Sequence, residues 1–337
     1  TQSRGLGDVY KRQSLFFQDG KAADGTRIDG TKIVGNYMNM SVCLTVAIAV
    51  FILVCVFLTR GYALDNRKSL VPHNDLKAFI EDFREIVVDR YAVYVFSSKF
   101  IIQLGMMFTA QIQMFTYVEF MQFSATEKTI AHGAGMLAFA GGSLFHAWLV
   151  KRLDKKPTAF VGMAIGAFGC GMLYILFIGG LMAPQFSWIV PEGSPALAGM
   201  EVPVSVFAFA LFQGMWWGGM GMIVPLMLSM IADISEINYV KTGKLRDGSY
   251  SAMFSFFMKA AMGCGMFVNG RLLLFAGYES GADSQGPQTL RNLATITFLA
   301  GPIALLPLIP ILKMYPVDRA FMKGIKKKRA EMEKSNS

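Results

Sequence analysis

Two stretches of the chain carry charge of types and spacing that can do chemistry. In SAMFSFFMKAAMGCGMFVNG (251–270) the ammonium of Lys259 stands alone among apolar, small and aromatic residues. Such a group snorkels, pairs with a buried carboxylate, or works in a polar cavity, where it can bind an anion or sugar hydroxyls. Ser255 is one turn earlier on the same helical face and would share that cavity. The second stretch, SMIADISEINYVKTGKLRDG (229–248), sets Asp233 and Glu236 three residues apart, on one face of a helix end. Lys241, Lys244 and Arg246 follow, beside Gly243 and Gly248, which permit tight turns. Opposed charges in this order either exchange ion pairs between two bodies and so latch one state, or are ordinary solvated helix ends.

The elements that must hold these residues are membrane spans. The 337 residues are 53% hydrophobic and only 16% charged, against about a quarter charged in soluble domains. Apolar runs at 38–58, 91–118, 130–150, 158–182, 203–232, 250–275 and 293–314 are each long enough to cross about 30 Å of hydrocarbon as a helix. The fold class expected is therefore an all-α polytopic membrane protein. A helix starting near Tyr250 buries Lys259 about 13 Å deep, close to mid-membrane, at a cost of about 3 kcal/mol. Lys99, in the second run, reads as a snorkelling lysine. Gln111 and Gln113, and Gln213 with Trp216 and Trp217, are further cavity candidates; the tryptophans serve equally as packing or as an interface belt.

The net charge of +9 is distributed by loop. Basic residues crowd 59–90, 151–156, 241–246 and the tail, where Lys326, Lys327, Lys328 and Arg329 are consecutive; the intervening loops are nearly free of them. Seven spans put every basic loop on one side, the cytoplasmic one, with the C-terminus there too. This alternation is a topology signal, and it argues against a nucleic-acid partner. The four cysteines fall inside the runs without paired spacing, and the three histidines form no cluster, so neither a disulfide frame nor a metal site is expected.

The opening, TQSRGLGDVYKRQ, contains DVYKRQ (8–13), which reads as translated sequencing adaptor; residues 1–13 are expected to be an artefact, with the frame entering partway through a gene. Residues 14–37 read as an external loop.

Ala232-Asp233, an acid three residues on, and Lys241-Thr242-Gly243-Lys244-x-Arg246-Asp247-Gly248 resemble the signature of the glycoside–pentoside–hexuronide:cation symporters, the melibiose-carrier-like branch of the major facilitator superfamily. LVKRLDKKPTAF (149–160) and KMYPVDRAF (313–321) are similar to that family's loop between its eighth and ninth helices and to the end of its twelfth. Glu236 stands for the family's second aspartate, Ile237 for its tyrosine and Tyr239 for its later glutamate. The resemblance implies helices 6–12 of a twelve-helix carrier of the major facilitator fold: 38–58 the last helix of the first bundle, 59–90 the inter-bundle linker, 91–314 a six-helix bundle and 315–337 a basic cytoplasmic tail. It also implies that Lys259 lies in the central cavity.

The function implied is symport of a sugar or glycoside with Na+ or H+ by alternating access, by a monomer in the bacterial inner membrane, in contact with membrane lipid and without a further cofactor. The substrate and cation cavity would be Lys259, Ser255, Gln111, Gln213 and Trp216; the cytoplasmic gate, Asp233, Glu236, Lys241, Lys244 and Arg246. The alternatives are a carrier of a lipid-like or other organic solute and a non-transporting sensor or scaffold. No nucleophile–base pair or metal spacing supports an enzyme.

Overall fold

The computed structural model describes residues 20–21, 27–28, 34–65, 76–189, 201–243, 246–280, 282 and 284–335. The expected adaptor segment 1–13, most of the expected loop 14–37, part of the expected linker 59–90 and Lys244, expected at the gate, lie outside the described residues. The chain divides into two units, Thr1–Asp75 and Leu76–Ser337. The first holds a two-residue antiparallel ladder, β1 (Gly20–Lys21) with β2 (Arg27–Ile28), and a long apolar helix, α1 (Val34–Asp65).

The second unit is a helical bundle: α2 (Leu76–Val88), α3 (Arg90–Phe115), α4 (Ala125–Leu153), α5 (Lys155–Leu173), α6 (Val204–Thr242), α7 (Asp247–Ala276), α8 (Pro287–Ala304), α9 (Leu308–Met314) and α10 (Arg319–Ser335). A π-helical turn extends α3 through Phe120 and another extends α5 through Ile178. A short ladder, β3 (Trp188–Ile189) with β4 (Glu201–Val202), lies between α5 and α6. Among the described residues seven helical stretches are long and apolar enough to cross a membrane, and they coincide with the seven apolar runs. The protein is an all-α polytopic membrane protein.

Local chemistry sets the helix ends. Ser124 and Glu127 form a reciprocal capping box that starts α4, with Ser124 N donating to Glu127 Oε2 at 2.8 Å. Asp154 turns the chain between α4 and α5 at φ 76°; its Oδ1 accepts from Lys155 N and its Oδ2 from Arg319 N, so one side chain caps α5 and ties down α10. Gly243 and Gly277 end α6 and α7 at φ 70° and 80°, left-handed conformations that cost glycine nothing.

The last span departs from the sequence expectation. The run 293–314 is broken at 305–307 into α8 and α9, where Pro302, Pro307 and Pro310 withdraw backbone donors. The basic segment 315–337 holds α10, whose Phe321, Met322 and Ile325 pack on the bundle core.

The centre of the bundle is α6, sandwiched by α4 and α5. Lipid supplies no hydrophobic drive between spans, so contact area comes from small residues that let backbones approach. Gly142 of α4 faces the carbonyl of Gly218, and Gly162 of α5 faces that of Gly219. Trp216, fully buried, fills a slot floored by Gly166 of α5 and Gly301 of α8; a Cβ on Gly301 would stand 2.7 Å from its ring. Towards the end where α3 meets α4, Phe209 is ringed by Tyr117, Phe123, Phe177 and Phe298 at centroid distances of 5.3–6.1 Å.

Candidate functional site

The end of the bundle that carries the basic loops holds a cleft of about 500 Å³ between α6 and α7. Ser235 and Glu236 line it from α6, Asp247, Ser251, Phe254 and Ser255 from α7, and Arg329 from α10. The acids at its mouth are engaged: Ser235 Oγ donates to Asp247 Oδ1, and Arg329 Nη1 lies 3.5 Å from Glu236 Oε1. Serine hydroxyls and a phenyl ring on facing walls are groups that bind a polyhydroxylated solute. Ser255 is thus a lining residue. Lys259, one turn beyond it on the same stripe, is exposed on α7.

The charges expected at the gate, so far as they lie among the described residues, are matched on different elements. Asp233 is in a salt bridge with Lys155 at the start of α5, whose Nζ also donates to Ser229 O at 3.3 Å. Arg246 is buried and pairs with Glu85 of α2. Lys241 places its Nζ 4.4 Å from the ring centroid of Tyr91, a cation–π contact rather than an ion pair. Tyr250 donates to Asp89 at 2.8 Å, and Asp89 also caps α3. Burial, followed by the charges of Asp233 and Asp89, pushes the Tyr315 hydroxyl well above its ordinary pKa, so it stays neutral at physiological pH.

A second polar cluster lies inside the bundle, away from the cleft. Gln113 Oε1 accepts from Gln213 Nε2 at 2.8 Å and from Trp217 Nε1 at 3.3 Å, while its own amide donates to Tyr117. Thr116 and Thr297 share a 2.6 Å hydrogen bond between α3 and α8. Gln111 accepts from Asn269 of α7 at 2.9 Å. Gln213 and Trp216 are therefore core residues in this structure, 1% and 0% exposed, and neither lines the cleft. The snorkelling expected of Lys99 does not occur: the residue is 4% exposed, because its side chain turns into the α3–α7 contact.

The structure thus brings Ser255 and Glu236 to one cleft, leaves Lys259 exposed one turn further along α7 and outside the cleft lining, and leaves Gln111, Gln213 and Trp216 in inter-helix contacts. Gln113 was singled out from the sequence as a cavity residue and is instead the centre of a buried hub. Its partner Tyr117, Asn269 as the partner of Gln111, and Arg329 and Lys155 as partners of the acids were not singled out. A polar residue within an apolar run was the available signal for Tyr117 and Asn269. Among the described residues no three acidic, histidine or cysteine side chains converge to hold a metal.

A family profile described as MFS/sugar transport protein matches residues 33–319. An uncharacterized symporter of Synechocystis is 24% identical over 243 residues, an overlap of 69% of this chain and 39% of the relative. The chain accordingly spans about two fifths of the length of that relative.

Proposed function

The chain belongs to the MFS/sugar transport protein family, and from that premise we propose that it forms the C-terminal part of a secondary carrier moving a sugar or glycoside together with Na+ or H+. In this reading the chain supplies helices 6–12 of a melibiose-carrier-like protein, with the six-span bundle 91–314 alternating against a preceding bundle through the 59–90 linker. The basic end faces the cytoplasm of a bacterial inner membrane.

The observation that carries the reading is the pattern of ion pairs around the α6–α7 cleft. Asp233 is held by Lys155, Glu236 by Arg329 and Arg246 by Glu85, so the acids and cations of one short segment reach three other elements. Partly exposed pairs are worth about 1 kcal/mol or less each, so they can be exchanged as the bundles rock. The cleft beside them, with Ser251, Ser255 and then Lys259 along one stripe of α7, supplies hydroxyls and one ammonium to a solute or to a cation-binding carboxylate.

Lys259→Ala tests it in the complete carrier. Concentrative uptake of labelled sugar is expected to disappear while the amount of protein in the membrane is unchanged. Undiminished accumulation would return Lys259 to a structural role and remove the cavity assignment.

A further inference from the structure

Lys99 takes part in none of the ion pairs described above. It lies nine residues into α3, about 13 Å from the start of the helix at 1.5 Å per residue. Only 4% of it is exposed. Its Nζ donates to Gln103 Oε1 at 3.2 Å and stands 5.2 Å from the ring centroid of Phe254. Among the described residues no carboxylate is within ion-pair distance of it. One amide oxygen and one ring face offset only part of the desolvation of an ammonium, and methionine would fill the same volume without that cost. A charge kept here against stability calls for a partner that arrives.

Phe254 marks the route. It is 7% exposed, presents its ring to Lys99, and also lines the α6–α7 cleft. One phenyl ring therefore separates a buried ammonium from the cleft. The acids nearer the mouth do not neutralise it, since Glu236 faces Arg329 and Asp247 faces Ser235.

We propose that Lys99 is a carboxylate-recognition position behind the wall of the α6–α7 cleft, reached when the Phe254 side chain swings aside. The carboxylate is carried either by the transported solute or by another membrane span of the carrier. The inference rests on the carrier reading, and it adds a second mid-span lysine to Lys259.

Two measurements test it. In the purified chain in detergent, Lys99→Met removes an uncompensated charge at constant volume, so the melting temperature rises. In cells carrying the complete gene, Lys99→Met and Lys99→Gln lower uptake by about tenfold or more, and Lys99→Arg restores most of it. Loss confined to glucuronate, with glucose uptake kept, assigns the carboxylate to the solute. Equal loss for both sugars, with return in Lys99→Arg, assigns it to another span. Parental uptake of both sugars by Lys99→Met overturns the proposal, as does a fall in its melting temperature or loss that Lys99→Arg does not repair. A parent that takes up neither sugar counts against the carrier reading, and the chain alone then decides. A rise in parental melting temperature with glucuronate, absent with glucose and absent in Lys99→Met, sustains the site, and its absence overturns it.

Discussion

At the scale of single residues, the two intramembrane lysines look alike in the sequence, since each interrupts the middle of an apolar run. The fold separates them. Lys259 is exposed on α7, whereas Lys99 is turned into the α3–α7 contact under Phe254. Side-chain direction on a helix is set by which neighbour packs there, and spacing along one helix does not reveal the neighbour. The same holds for Gln113. Its pairing with Gln213 joins residues a hundred positions apart, so the sequence identifies both as polar groups in apolar spans without identifying the hub. Gln113→Leu is expected to strand the donors of Gln213 and Trp217 in the core. The cost is about 1–3 kcal/mol, seen as a lower melting temperature of the purified chain. An unchanged melting temperature would mean that water or rearrangement satisfies those groups.

At the scale of helices, the 39 residues of α6 make a rod of about 58 Å, nearly twice the hydrocarbon thickness. The excess carries Asp233 and Glu236 past the apolar run 203–232 while keeping them on a continuous helix, which is how α5 and α10 can present cations to it and α7 a carboxylate that accepts from Ser235. The apolar run predicted the span and not its extension, because hydropathy falls where the helix leaves the membrane but backbone hydrogen bonding continues. The glycines of α4 and α5 were legible only as a composition. Their function is contact, as at Gly142, where an added Cβ would collide with the backbone carbonyl of Gly218. Backbone cannot rotate away as a side chain does, so Gly142→Ala is expected to cost about 1–3 kcal/mol. Thermal unfolding of the variant in detergent measures it. Stability equal to the parent would show that α4 and α6 separate at little cost.

At the scale of the whole molecule, alternating basic and neutral loops predict the orientation of every span at once. After replacement of the native cysteines, Glu279→Cys, between α7 and α8, is expected to react with a membrane-impermeant thiol reagent in intact cells. Lys327→Cys, exposed on α10, is expected to react only once the cells are opened. The reverse pattern would invert the topology and with it the side proposed for the gate. The sequence by itself determined the fold class, the seven spans and the loop motif, because hydropathy, charge asymmetry and a contiguous signature are each written along the chain. Only the tertiary structure decided that Asp233 meets Lys155, that α10 brings Arg329 to Glu236, that Trp216 is core and that Lys99 is buried beside the cleft. Those facts depend on which helix faces fall together. In a bundle with little hydrophobic drive between spans, that choice rests on small-residue contacts and polar pairs between residues far apart in the chain.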